Sequence, residues 1–181
     1  MSVANECTAS LLQVGQKAPD FSAQALMADG SQKEVKLADF KGKWVVLFFY
    51  PLDFTFVCPT EIQGFDKHYD DFKKLNAEVV AASTDSYYSH KAWTESSLGK
   101  IRFPILADTN HAVSKSYNVL IPNKGFALRG TFIINPEGVL KSAVVNDTSV
   151  GRSVEETLRT LQAFQTGKNT GCGWKPGEKT L

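Results

Sequence analysis

The chain lacks any hydrophobic run long enough to cross a bilayer: its best, Val45 to Tyr50, falls far short of the roughly 20 apolar residues needed. Its opening, MSVANECTASLLQVG, has neither the basic stretch nor the continuous apolar stretch of an export signal. The expectation is a soluble cytoplasmic protein with no membrane partner. An excess of charge of one sign is also missing. Twenty Lys and Arg stand against nineteen Asp and Glu, and the basic residues are spread along the chain, which argues against nucleic acid as a partner. Cysteine is scarce: Cys7, Cys58 and Cys172 are an odd set that suits a reducing compartment better than a secreted disulfide scaffold, so any disulfide should be transient. His68, His90 and His111 are scattered through polar, helix-like stretches, which excludes a clustered ligand set; no metal is expected, and the three read as surface or interface residues. No nucleotide-binding glycine pattern appears, and no cofactor is expected.

What is present suffices for one sizeable core, at 181 residues and 43% hydrophobic content. KWVVLFFY, bounded by Lys41-Gly42 and Pro51, reads as a strand buried on both faces. TEIQGFDKHYDDFKKL, with Ile62, Phe65, Tyr69 and Phe72 at helical spacing, predicts one long amphipathic helix. EVVAAST is a second buried strand, SYYSHKAWTESSL a helix closed by Gly99, RFPILAD a short strand and HAVSKSYNV a helix. FALRGTFIIN and VLKSAVVND flank Asn135-Pro136-Glu137-Gly138 and predict an antiparallel hairpin, so the sheet is mixed. SVEETLRTLQAFQ, capped by Ser153 with Glu156 three residues on, is the last packed helix. The fold class is α/β. Residues 1–165 form the domain, and 166–181, rich in Gly, Lys and Pro, form a surface tail that moves easily and carries Cys172.

Cys58 stands where an apolar strand and loop give way to a helix, with Pro59 next and Glu61 three positions on. Unpaired N–H groups and the positive end of the helix dipole favour thiolate over thiol there, and the thiolate is the nucleophile. An unpaired cysteine is often inert core instead. Against that stand Pro51, Asp53, Thr55 and Pro59, which interrupt the apolar stretch, shape a loop and bring a hydroxyl close to the sulfur.

The segment FYPLDFTFVCPTEI resembles the active-site segment of typical 2-Cys peroxiredoxins, the group that includes bacterial alkyl hydroperoxide reductase C. GQKAPDF, STDSYYSHKAW, RGTFIINPEG and GRSVEETLR extend the likeness over nearly the whole chain. The resemblance implies a thioredoxin-like fold with a central mixed sheet flanked by helices and a C-terminal extension. It implies a peroxidase in which Cys58 attacks the peroxide and becomes a sulfenic acid, Thr55 hydrogen-bonds the peroxide, and Pro51 shields the sulfur from water. Arg129 takes the place of the family's distant arginine: a permanently charged fork can stabilise a thiolate and align two oxygens, although a lone arginine in a strand is otherwise a surface residue. Glu61 would orient that arginine, and Arg152 would be a second cation near the pocket.

The same resemblance makes Cys172 the resolving cysteine of the partner subunit, in a head-to-tail homodimer with a Cys58–Cys172 disulfide. The family usually has Val-Cys-Pro with a tryptophan further on, whereas this chain reads Gly171-Cys172-Gly173-Trp174, and a surface thiol is the alternative. The likeness further implies a decamer of five dimers with contacts at Phe54, Phe56, Tyr87, Tyr88, His90 and Trp93, for which ordinary helix packing is the other reading. The electron donor would be thioredoxin or a dedicated flavoprotein disulfide reductase. Ser96-Ser97-Leu98-Gly99 stands where peroxide-sensitive members have Gly-Gly-Leu-Gly, and the sequence stops at Leu181 without their Tyr-Phe tail; resistance to overoxidation is the expectation. Cys7 reads as incidental. A thioredoxin-like disulfide exchanger would need Cys-x-x-Cys, and Cys58-Pro59-Thr60-Glu61 supplies one cysteine only; a holdase chaperone or structural ring is the competing non-enzymatic reading.

Overall fold

The computed structural model describes residues 12–181, so Cys7 lies outside the described residues. The chain begins with a hairpin that periodicity did not single out, β1 (Ser22–Leu26) and β2 (Gln32–Lys36), turned through Asp29-Gly30 with Gly30 at φ 81°. After one 3₁₀ turn come β3 (Trp44–Phe49), α1 (Cys58–Lys67), α2 (Tyr69–Lys74), β4 (Ala77–Ser83) and α3 (Tyr87–Trp93). β5 (Ile105–Ala107), α4 (Ala112–Ser116), the short pair β6 (Leu120–Ile121) and β7 (Phe126–Ala127), β8 (Arg129–Ile134), β9 (Leu140–Asn146) and α5 (Val154–Gln165) complete it.

Seven strands form one mixed sheet in the order β2-β1-β5-β4-β3-β8-β9. β3, β4 and β5 run parallel; β8 pairs antiparallel with β3, and β9 with β8 through the expected turn, where the Gly138 N–H reaches the Asn135 carbonyl at 2.8 Å. Successive residues of β3 face opposite sides. Val46 and Phe48 pack under α1, α2 and α5, and Val45, Leu47 and Phe49 pack with Tyr117 and Phe132 on the other side. Both faces are covered, which is why the run reads as continuously apolar. On the first face Phe48 stacks on Phe65 at 4.2 Å between ring centroids and meets Phe103 edge-on at 5.8 Å.

Three elements differ from expectation. The long helix is two, because the Arg102 guanidinium takes the Asp66 carbonyl, which an unbroken helix would offer to residue 70, and His68 leaves the helical region at φ −96°, ψ 10°. The strand expected over FALRGTFIIN is also two: β7 pairs with β6, the chain hinges at Leu128, whose N–H reaches the Val119 carbonyl, and β8 then enters the main sheet. Gly130 permits that hinge, since a Cβ there would lie 2.7 Å from the Phe132 ring. The tail has no helix or strand, yet it is anchored: Trp174 is 6% exposed and its carbonyl accepts from Arg159 Nη1 at 2.9 Å. The α3 helix is capped by Ser86, continues as a π turn over Thr94–Leu98 and closes at Gly99, φ 84°, as expected. Ser153 Oγ accepts the Glu156 N–H at 3.0 Å and starts α5.

Candidate active site

The loop that leaves β3 returns to the sheet as α1, and Cys58 is that helix's first residue, fully buried, with Pro59 pre-setting the helical φ behind it. Glu61 follows one turn later, so its carboxylate shares the sulfur's side of the helix. Arg129 enters from the first position of β8 and Arg152 from just before α5. These four residues, predicted from sequence, are in contact. Arg129 Nη1 donates to Cys58 Sγ at 3.5 Å and to Glu61 Oε2 at 2.6 Å, while its Nε donates to the Thr148 carbonyl at 2.8 Å. Arg152 clasps Glu61 from the other side through Nε, Nη2 and its own backbone N–H, at 2.8, 2.8 and 2.9 Å. Its Nη1 donates to the Phe49 and Gly130 carbonyls, and its guanidinium lies 5.3 Å over the Phe48 ring.

The side chains of Glu61, Arg129 and Arg152 are 2–4% exposed, so water competes little with these bonds. Burial pushes the Glu61 carboxyl up, but the hydrogen bonds and charge of Arg152, with the charge of Arg129, outweigh it and hold the group below its ordinary value. Two guanidinium cations against one carboxylate leave one positive charge in excess, and the sulfur is the group it faces. The cluster presents guanidinium N–H donors and a net positive charge beside the sulfur.

Pro51 is buried at the end of β3, and Thr55 is half-buried on the same loop. The Thr55 hydroxyl donates to the Leu52 carbonyl at 2.9 Å, not to the sulfur, which leaves its oxygen free to accept. Cys172 is exposed, and neither it nor Cys58 is disulfide-bonded. Among the described residues no three His, Cys, Asp or Glu side chains group as metal ligands, and no helix is long and apolar enough to cross a membrane.

His90 corrects an expectation. The sequence pattern places it at the surface or an interface, whereas it is 0% exposed. It shares α3's inward face with Trp93, three residues on, and finds partners there: Nδ1 meets Asp53 Oδ2 at 2.8 Å and Nε2 the Leu106 carbonyl at 3.2 Å. Tyr50, whose hydroxyl burial and the Asp53 charge hold protonated, donates to Asp53 Oδ1 at 2.8 Å, and the Asp53 N–H donates to Asp85 Oδ2 at 2.8 Å. This buried network pins the loop carrying Pro51 and Thr55, and sequence reasoning missed it. Its signal was Asp53, an acid in an apolar stretch. Phe54, at φ 56°, lays its ring 5.8 Å from Trp93 yet stays exposed, as do Phe56, at 94%, and Tyr88; Tyr87 is half-buried and donates its hydroxyl to the Gly30 carbonyl.

Residues 14–143 match the AhpC/TSA family. The chain belongs to that family and is a peroxiredoxin. It is 52% identical over 178 residues to peroxiredoxin-2 of Mus musculus, covering 93% of this chain and 89% of the mouse protein. It is 52% identical over 174 residues to a putative peroxiredoxin in the rubredoxin operon of Clostridium pasteurianum, covering 93% and 98%. The reduced 2-Cys peroxiredoxin of Plasmodium vivax superposes with a TM-score of 0.91 at 40% identity over 93% of this chain and 92% of that one. The peroxiredoxin thus has the thioredoxin-like fold expected from its sequence, is a peroxidase, and is similar in structure to 2-Cys peroxiredoxins.

Proposed function

We propose that this peroxiredoxin reduces hydrogen peroxide and organic hydroperoxides with Cys58 as the attacking sulfur. The contact that carries the reading is Arg129 Nη1 at 3.5 Å from Cys58 Sγ, within a buried cluster of net positive charge. Sγ forms a bond to the terminal peroxide oxygen, the O–O bond breaks, and water or an alcohol leaves; the sulfur becomes a sulfenic acid. Thr55 accepts from the peroxide, Arg129 donates to it and steadies the charge, Glu61 and Arg152 orient Arg129, and Pro51 keeps water off the product. The thiol of the partner subunit's Cys172 then condenses with the sulfenic acid, a sulfur–sulfur bond forms and water is released. A dithiol protein, thioredoxin or a flavoprotein disulfide reductase, returns both thiols. Because Cys58 has no accessible surface, its helix turn and the Cys172 tail rearrange before their Cα atoms come within about 7 Å.

The exposed aromatics Phe54, Phe56 and Tyr88 beside α3 support assembly of the dimers into a ring of five. Peroxide consumption with a dithiol donor tests the peroxidase: Cys58→Ser abolishes turnover, and turnover at the wild-type rate would refute the assignment. On non-reducing gels, Cys172→Ser loses the peroxide-induced dimer band; a retained band removes Cys172 from the cycle.

A further inference from the structure

The sequence around Cys172 is shorter than the resembled family's, and the structure shows how the chain accommodates it. Gly171-Cys172-Gly173-Trp174 closes as one β-turn, with the Trp174 N–H reaching the Gly171 carbonyl at 3.2 Å and Gly173 at φ 68°, a conformation that asks for glycine. The turn holds Cys172 outward at its crown while Trp174, two residues on, goes down onto the domain. Trp174 is secured twice. Its indole N–H donates to the Glu178 carbonyl at 3.1 Å, and its own carbonyl accepts from Arg159 Nη1 at 2.9 Å. Arg159 can do this because Glu156, one turn earlier on α5, takes Nε and Nη2 at 2.7 Å each, which leaves the far end of the planar guanidinium aimed at the tail. The Glu156 bonds are the main reason Arg159 holds its proton more firmly than usual.

We propose that Arg159 is a positioning residue for the second half of the cycle: it clamps the tail by the Trp174 carbonyl and keeps Cys172 waiting on its own subunit, so that disulfide formation requires the clamp to open. The inference rests on the resolving role proposed above for Cys172. The reach of the chain gives the reason. With Trp174 held, Cys172 is two positions from a fixed point, and two extended residues span about 7 Å at most. Cys172 cannot sweep far enough to meet a buried sulfur on another subunit until Trp174 lets go. Once it does, the whole tail from Thr166 onward is available. The chemistry is unchanged: Cys58 sulfenic acid and Cys172 thiol give one disulfide and one water.

Single-turnover kinetics on the reduced full-length protein test this, with one equivalent of hydrogen peroxide, acid quenching and intact-mass readout of sulfenic acid and disulfide. Hydrogen exchange of residues 170–181 is followed in parallel. Arg159→Lys keeps the charge but not the fork, so it cannot hold Glu156 and the Trp174 carbonyl together. Glu156→Gln loosens the same guanidinium from a surface position and serves if the first variant folds poorly. Both variants form sulfenic acid at the wild-type rate. Both form the disulfide about two- to tenfold faster, the loss of one partly exposed charge-assisted hydrogen bond. Exchange rises in 170–181 and nowhere else. Disulfide formation at or below the wild-type rate, unchanged tail exchange, or full rescue by lysine would overturn the clamp. A Cys172→Ser control separates the two readings: if it still gives a Cys58-linked intersubunit disulfide, the resolving role fails and this proposal with it. If the disulfide depends on Cys172 but ignores Arg159, the clamp alone fails.

Discussion

Substituting Glu61 by glutamine removes one charge and few atoms, and its cost follows from the hydrogen bonds. The carboxylate accepts four: Arg129 Nη1 and Arg152 Nη2 at Oε2, and the Arg152 backbone N–H and Nε at Oε1. Whichever way the amide is turned, its NH₂ faces two donors, so two of the four bonds are lost and the two buried cations repel without a counter-charge. At about 1.5–3 kcal/mol for each bond to a charged group the loss is about 3–6 kcal/mol, in line with the roughly 3–5 kcal/mol seen when one partner of a buried ion pair is removed. Side-chain exposures of 4% or less mean that solvent screening does not reduce it. Urea unfolding at neutral pH followed by tryptophan fluorescence measures the difference. The pH dependence gives a second reading. The folded Glu61 carboxyl lies below its ordinary value, so its stabilising contribution is complete above the ordinary carboxylate range and is lost as pH falls through the folded value. Glu61→Gln flattens that part of the acid limb. A variant within about 0.5 kcal/mol of wild type, the range of a neutral surface change, with an unaltered acid limb, would show that the four bonds do not carry this stability.

His90→Leu strips Asp53 of one buried partner and removes a contact to the Leu106 carbonyl; a loss of about 1–3 kcal/mol and slower reaction of Cys58 with peroxide are expected from unfolding and stopped-flow measurements. Gly130→Ala places a methyl 2.7 Å from Phe132 and 2.8 Å from Val119 beneath Arg129, with an expected loss of about 1–3 kcal/mol by urea unfolding.

The sheet's centre was legible because doubly buried strands spell themselves out: KWVVLFFY and EVVAAST became β3 and β4. The boundaries that periodicity missed are set by single distant contacts. Nothing near His68 announces that Arg102, far along the chain, will take the Asp66 carbonyl and break the helix, and nothing in FALRGTF announces the hinge at Leu128. The site divides the same way. Cys58, Glu61, Arg129 and Arg152 were readable through resemblance, since their spacing alone would have left two ordinary surface arginines. His90 was misread because a polar residue on a helix face looks solvated until its buried partners, Asp53 and the Leu106 carbonyl, come from other elements. The anchoring of Trp174 was hidden for the same reason: the tail has no period, and Arg159 looked like a helix-surface charge.

The central claim is that the Cys58 sulfur, held against Arg129, is the atom that takes the peroxide oxygen. Mixing reduced Cys172→Ser protein with less than one equivalent of hydrogen peroxide in the presence of dimedone, then mapping the adduct by peptide mass spectrometry, tests it directly. One dimedone on the Cys58 peptide, in proportion to the peroxide added, is the expected result. Label on Cys7 with Cys58 unmodified, or peroxide consumed with neither labelled, would contradict it.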